Sequence, residues 1–254
     1  MWSDFIILGD VTREFVLSIA ALLVESYTPG LVAAALVLIL VISTLLYARQ
    51  VSRQVRTINW LLGVVKKYDT PQSFTAAIGD IDQTILQKRK FRAYKSLVSA
   101  WAKYRETLVM HGTDTGRHLR NSVRPSTFLN LDDLQYGAGF WRILPGLFVT
   151  IGLFLTFLGL VAALSVMNVA DVEPKQLQSM LDTLLTTASA KFIMSLTGLF
   201  CSIIFTVVLR YGLGKLERRI HDLCARIEHL LKFISLEDMA AEQLVEIKDH
   251  RAQF

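Results

Sequence analysis

At 254 residues, with 52% hydrophobic and only 19% charged side chains, the chain is too apolar for a water-soluble domain of its length. Its mean hydropathy is +0.42. Three segments carry no charge, 26–48, 143–170 and 192–209, the last extended upstream across Lys191 by 183–190. A helix crossing a hydrocarbon core about 30 Å thick needs roughly 20 residues, and each segment supplies them. The runs are continuously apolar rather than alternating, which excludes a β-barrel and predicts an all-α polytopic membrane protein whose spans continue into polar helices. Cys201 lies inside an apolar run and Cys224 beyond it, so no disulfide framework is expected.

In chain order, residues 1–25 read as an outer N-terminal segment. Asp4, Asp10 and Glu14 stand where a cleavable signal carries positive charge, and the apolar stretch 15–24 is too short to cross, which suits an interfacial helix anchored by Trp2 and Phe5. The first span is 26–48. The region 49–142 is polar and helical: Val51, Val55, Ile58, Leu62 and Val65 recur at helical spacing until Pro71, and Phe74, Ile78, Ile81, Ile85, Leu97, Trp101 and Leu108 predict a second, long helix packing back on the first. His111–Asn130 reads as a loop, and Asp132 and Asp133 suit the first turn of a helix leading through Trp141 and Arg142 into the second span, 143–170. A short outer loop, 171–187, leads to the third span, 188–210, and then to an amphipathic helix, 211–254. There Leu216, Ile220, Leu223, Ile227, Leu230 and Ile234 alternate steps of four and three, a seam for neighbouring subunits or for the chain's own polar helices.

Of the 27 Lys and Arg residues, sixteen lie in 49–142 and eight in 210–254. Positive flanks collect in the cytoplasm, which predicts an N-terminus on the outer side and a C-terminus in the cytoplasm. The +5 charge then needs no nucleic-acid partner to explain it. Lys88, Arg89, Lys90, Arg92 and Lys95 form the densest basic run and read as a solvated cytoplasmic helix face rather than a lipid or partner site. His221, Cys224 and Glu228 share a helix face but lack a fourth ligand, so no metal site is assigned. No phosphate-binding Gly loop, nucleophile elbow or carboxylate pair points to an enzyme.

The second span carries a stripe of small residues, Gly152, Thr156, Gly159 and Ala163, and the third carries Ser195, Gly198, Ser202 and Thr206. Such stripes let helices pack closely or line a narrow polar path, and composition alone leaves both readings open. Neither span holds a carboxylate: no Asp or Glu occurs between Asp133 and Asp171, or between Asp182 and Glu217. Lys191 sits about one turn below the outer face, where snorkelling is the simple reading and a gate or partner contact the sharper one.

Arg142–Leu160, RILPGLFVTIGLFLTFLGL, followed by Ser195–Ser202, SLTGLFCS, resembles the two signature membrane helices of the MotA/TolQ/ExbB proton-channel family. Thr156 stands at the family's hydroxyl position and Ser195 where Thr is usual; the proline that commonly follows the second motif is absent, with Ile204 near its place. Within the family, the TFLGL wording and the helix after the third span are most similar to the ZorA branch of the Zorya anti-phage defence systems, whose members typically continue into a long cytoplasmic tail; either this chain is a short-tailed relative or such a tail extends beyond Phe254.

The resemblance implies the ion-channel, stator-like subunit of a rotary motor driven by the proton-motive force, with no cofactor beyond the translocated H+ or Na+. It implies a homopentamer around two copies of a single-span MotB/TolR/ExbD/ZorB-like partner bearing a membrane Asp, and cytoplasmic effector proteins powered by the motor. Thr156 and Ser195 would form the ion path, with Thr150, Gly152, Gly159, Ser202 and Thr206 as secondary lining and Lys191 as a gate or partner contact. The rival readings are a TolQ/ExbB-type energiser of envelope transport and a non-conducting membrane scaffold that recruits a cytoplasmic effector.

Overall fold

Long apolar runs leave the backbone one way to satisfy its own polar groups, and the chain is helical almost throughout. The computed structural model describes residues 11, 14, 27–113, 116–121, 123–165 and 174–233. Helix α1 runs Thr28–Val65, α2 Pro71–Ala76, α3 Ile78–Gln87, α4 Lys95–Glu106, α5 Leu144–Ser165 and α6 Pro174–Leu230. Three helical stretches are long and apolar enough to cross a membrane: Thr28–Val65, Leu144–Leu164 and Ala188–Leu230. The expected interfacial helix at 15–24, the end of the second span, the start of the outer loop and Ile234 lie outside the described residues.

The chain divides into two units, Met1–Tyr47 with Gly139–Arg210, and Ala48–Ala138 with Tyr211–Phe254, so α1 and α6 each contribute to both. In the apolar unit, α1 meets α5 where Val32 packs on Leu158 and Ala162. Near the other end of these spans the Tyr47 hydroxyl donates to the Leu209 carbonyl at 3.1 Å, closing α1 onto α6. Around that bond Trp141 and Phe205 lie 5.7 Å and 6.1 Å from the Tyr47 ring, and Phe148 lies 6.4 Å from Phe205. Edge-on aromatic pairs of this kind contribute about 0.5–1.5 kcal/mol each beyond the area they bury. Trp141, expected as an interfacial anchor, is thus part of a packed aromatic corner.

In the polar unit the core is built from predicted apolar positions joined by Leu61 and Tyr104. Ile58, Leu61, Val65, Phe74, Ile85, Leu97 and Tyr104 are fully buried, and so are Leu223, Ile227 and Leu230 of the heptad seam. The seam therefore packs within its own subunit. Its neighbours are fixed by polar contacts: Arg226 donates to the Tyr68 carbonyl at 2.8 Å and to Asp69 at 2.9 Å, and the Cys224 thiol faces the Leu129 carbonyl at 3.6 Å.

Four sequence expectations are corrected here. The long helix over 74–108 is three helices, α2 to α4, with 3-10 turns at Lys88–Lys90 and Arg92–Tyr94 between the last two. The break comes at Phe91, whose backbone is extended, and Lys88 places its ammonium 5.3–5.8 Å from the ring centres of Trp60, Phe91 and Tyr94. Cation–π attraction thus draws Lys88 of the basic run out of a plain solvated helix face. Asp82 then reconnects the pieces, accepting from Trp101 Nε1 at 2.9 Å and Arg105 Nε at 2.8 Å.

The expected loop 111–130 contains strands: β1 (Leu108–Thr113) pairs antiparallel with β2 (Gly116–Asn121), and β2 pairs parallel with β3 (Lys232–Phe233). Buried Asn121 holds this sheet to α4 by donating to the Tyr104 hydroxyl at 2.9 Å. Asp132 and Asp133 are not in a helix: their N–H groups donate to the Asn130 side-chain oxygen, making a turn that satisfies the backbone locally. Finally, residues 174–187 of the expected outer loop are the first turns of α6, which starts with Pro174 at its N-terminus, where proline's missing N–H costs nothing. At 57 residues α6 is roughly 86 Å long at 1.5 Å per residue.

Burial, and secondarily the carboxylate of Glu228, pushes the Cys224 thiol from its ordinary 9.0 up to about 12. Both cysteines are free and buried. In the folded protein at pH 8, Cys224 is expected to resist maleimide and to react fully in denaturant. The raised folded value leaves stability unaffected below pH 9; above it the unfolded thiol ionises first, so the contribution falls between pH 9 and about 12. Rapid labelling of native protein at pH 8 would contradict this packing.

Candidate functional site

The small residues predicted on the second and third spans meet in one seam. A methyl group added at Gly198 would lie 2.5 Å from the Phe148 carbonyl oxygen and 3.2 Å from the Gly152 Cα; one at Gly152 would lie 3.0 Å from the Met194 carbonyl oxygen. Two backbones touch here, which only glycine at both positions permits. As residue numbers rise along α5 they fall along α6, so the helices cross antiparallel.

One turn beyond Gly152, the Thr156 hydroxyl is 2.8 Å from the Gly152 carbonyl and 3.2 Å from the Lys191 carbonyl of α6. Its single proton is shared between an oxygen of its own helix and one of the neighbour. Thr156 is 2% exposed, so this bridge is closed off inside the subunit. The next small position, Gly159, makes room for Lys191: a methyl there would sit 2.9 Å from the lysine Cδ. Lys191 is itself 2% exposed, which overturns the snorkelling reading. Its methylenes are enclosed by protein rather than extended along the helix surface.

The remaining candidates are placed differently. Ser195 has its Cα in the seam, 3.2 Å from a methyl at Gly152, but its hydroxyl donates to the Phe192 carbonyl at 3.1 Å. It lines an open, mostly apolar groove of about 520 Å³ with Val149, Leu153, Ser189 and Phe192. Thr150 and Thr206 are exposed and bond back to the carbonyls of Gly146 and Ser202 on their own helices; Ser202 is half-buried. Such back-bonding satisfies a hydroxyl in hydrocarbon without a neighbour. The seam thus gathers Gly152, Thr156, Gly159, Lys191 and Gly198, and leaves Thr150, Ser202 and Thr206 outside it. Composition could not reveal that Lys191 belongs to the seam; its spacing of seven from Gly198, two helical turns, was the available signal.

These features define a helical membrane protein with three apolar helices long enough to span, two of them joined through glycines and a bridging threonine. A family profile described as the anti-phage protein ZorA of the Zorya type I system matches residues 16–249, and the chain belongs to this ZorA-like family. It is therefore a component of Zorya anti-phage defence. No curated protein matches the sequence.

If the Gly152–Gly198 contact sets the helix spacing, Gly198→Ala should lower the melting temperature of the detergent-solubilised protein and weaken assembly. Gly214→Ala, where a methyl meets nothing within 4 Å, should leave it unchanged or raise it slightly. Equal tolerance of both substitutions would contradict the close approach.

Proposed function

We propose that the chain is a non-enzymatic ion-channel subunit of a rotary motor driven by the proton-motive force. It lies in the bacterial inner membrane with its N-terminus periplasmic and C-terminus cytoplasmic, as a homopentamer around two copies of a single-span partner. The observation that carries this reading is the Thr156 bridge in spans devoid of carboxylates. A buried hydroxyl can pass or orient a proton but cannot hold one as a charge, so the group that takes up and releases the ion comes from elsewhere. A partner helix bearing an Asp supplies it, and Ser195, on the open groove, is the hydroxyl that such a helix meets first. Membership of an anti-phage family supports the purpose of the work done, and the cytoplasmic helices are where an effector would be engaged.

The energetics are sufficient. Each elementary charge crossing the membrane releases about 2.3 kcal/mol per 100 mV, so a few ions per step can turn a ring around a dimer against thermal noise. The translocated species is H+ or Na+.

Thr156→Val preserves shape and removes the hydroxyl, while Thr156→Ser keeps it. In a complex co-expressed with the neighbouring partner gene, Thr156→Val should abolish phage protection while native mass still shows five copies of this chain with two of the partner, and Thr156→Ser should retain much of it. Full protection by Thr156→Val in an intact complex would remove Thr156 from the path. A chain that is monomeric or dimeric without a partner would favour a non-conducting scaffold.

A further inference from the structure

Within the apolar parts of the three spans, 28–48, 144–164 and 188–209, Lys191 is the only charged residue. It is enclosed by protein, with 2% of its surface exposed. It touches the seam twice. Its carbonyl lies 3.2 Å from the Thr156 hydroxyl, and its carbon chain fills the room opposite Gly159, where an added methyl group would meet Cδ, Cε and Cγ at 2.9, 3.2 and 3.3 Å. Gly159 follows Thr156 by three residues, about 4.5 Å along α5. Because α5 rises toward the outer face in the orientation proposed above, the lysine chain stands on the outer side of Thr156.

Packing alone does not call for an ammonium there. A methionine fills comparable space, and exchanging a buried charge for an apolar side chain of similar volume is often neutral or stabilising. Charged residues inside membrane spans are expensive, and where they are kept they mark ion and proton pathways. Enclosure also lengthens their reach: a charge set in protein and lipid is screened far less than one in water, so it acts strongly on any cation within several ångströms.

We propose that Lys191 sets the ion selectivity of the path: its fixed positive charge, between the outer face and Thr156, excludes free metal cations and admits a proton only when a carboxyl group carries it. This inference rests on the motor reading above. A Na+ ion resting at Thr156 needs the hydroxyl and carbonyl oxygens there as ligands, within about one helical turn of the lysine chain, and meets the repulsion of the ammonium directly. A protonated Asp on the partner helix is neutral and passes the same level without that penalty. The translocated species is then H+ rather than Na+.

The test uses the full chain in its complex with the partner, reconstituted in liposomes under an imposed potential, with proton entry and sodium entry followed separately. The wild-type complex should carry protons and stay closed to sodium. Lys191→Met and Lys191→Gln remove the charge from a side chain of similar shape and should raise sodium entry relative to proton entry about tenfold or more, whereas Lys191→Arg should keep the wild-type ratio. A merely structural role would lower both fluxes together and leave their ratio unmoved. Native mass checks that each complex keeps its full complement of subunits. Sodium entry through the wild type, or an intact neutral variant whose ratio does not rise, overturns the inference and leaves the motor reading standing. A wild-type complex that carries neither ion overturns both. Loss of assembly in both neutral variants assigns the charge to folding and overturns the inference as well.

Discussion

In hydrocarbon two helices gain nothing by hiding from solvent, because the lipid is as apolar as they are. What brings α5 and α6 together is therefore the fit of one backbone against another, and at Gly152 and Gly198 that fit leaves no room for a single methyl group. The rest of the seam follows from this spacing. One turn along α5, Thr156 is near enough to share its proton with a carbonyl of α6, and at Gly159 the gap accepts the methylenes of Lys191. A wider separation would leave Thr156 bonded only to its own helix, like Thr150 and Thr206, and would return Lys191 to the surface.

The same geometry divides the labour between the two candidate path residues. Thr156 is enclosed, so it acts as part of the subunit's interior, whereas Ser195 faces an open groove of apolar side chains that an additional helix can fill. Many large apolar residues remain exposed along the spans, among them Leu38, Phe154, Phe157, Leu196 and Phe200. Such surfaces suit lipid, other copies of the chain or a partner helix. Under the proposed reading the missing carboxylate is a consequence of this arrangement: the ion carrier belongs to a separate helix, and the subunit supplies a rigid, hydroxyl-bearing wall.

Hydropathy made the spans legible, and helical spacing made the stripes legible, because both properties are local and repeat along the chain. The heptad seam was legible as apolar, but whether its partner was another subunit or the chain itself depended on distant residues: Arg226 reaching Tyr68, and Cys224 facing Leu129. The break after Gln87 was hidden for the same reason, since Lys88 leaves the helix face for an aromatic ring contributed by Trp60 from another helix. The strands at 108–121 were masked by polar, turn-rich composition, although the glycines at 112 and 116 around Asp114 carry a hairpin signal. In the site itself, residue types located Thr156 and Gly152 but could not place Lys191, whose enclosure requires knowing that Gly159 lies opposite.

The central claim is that this chain forms an ion path only together with a carboxylate-bearing partner. The most direct measurement is ion flux in proteoliposomes under an imposed membrane potential, comparing the chain alone, the chain with its partner, and the complex carrying Thr156→Val. The account predicts tight vesicles with the chain alone, flux with the partner, and loss of that flux in Thr156→Val. Flux through the chain alone, or undiminished flux through the variant complex, would contradict it.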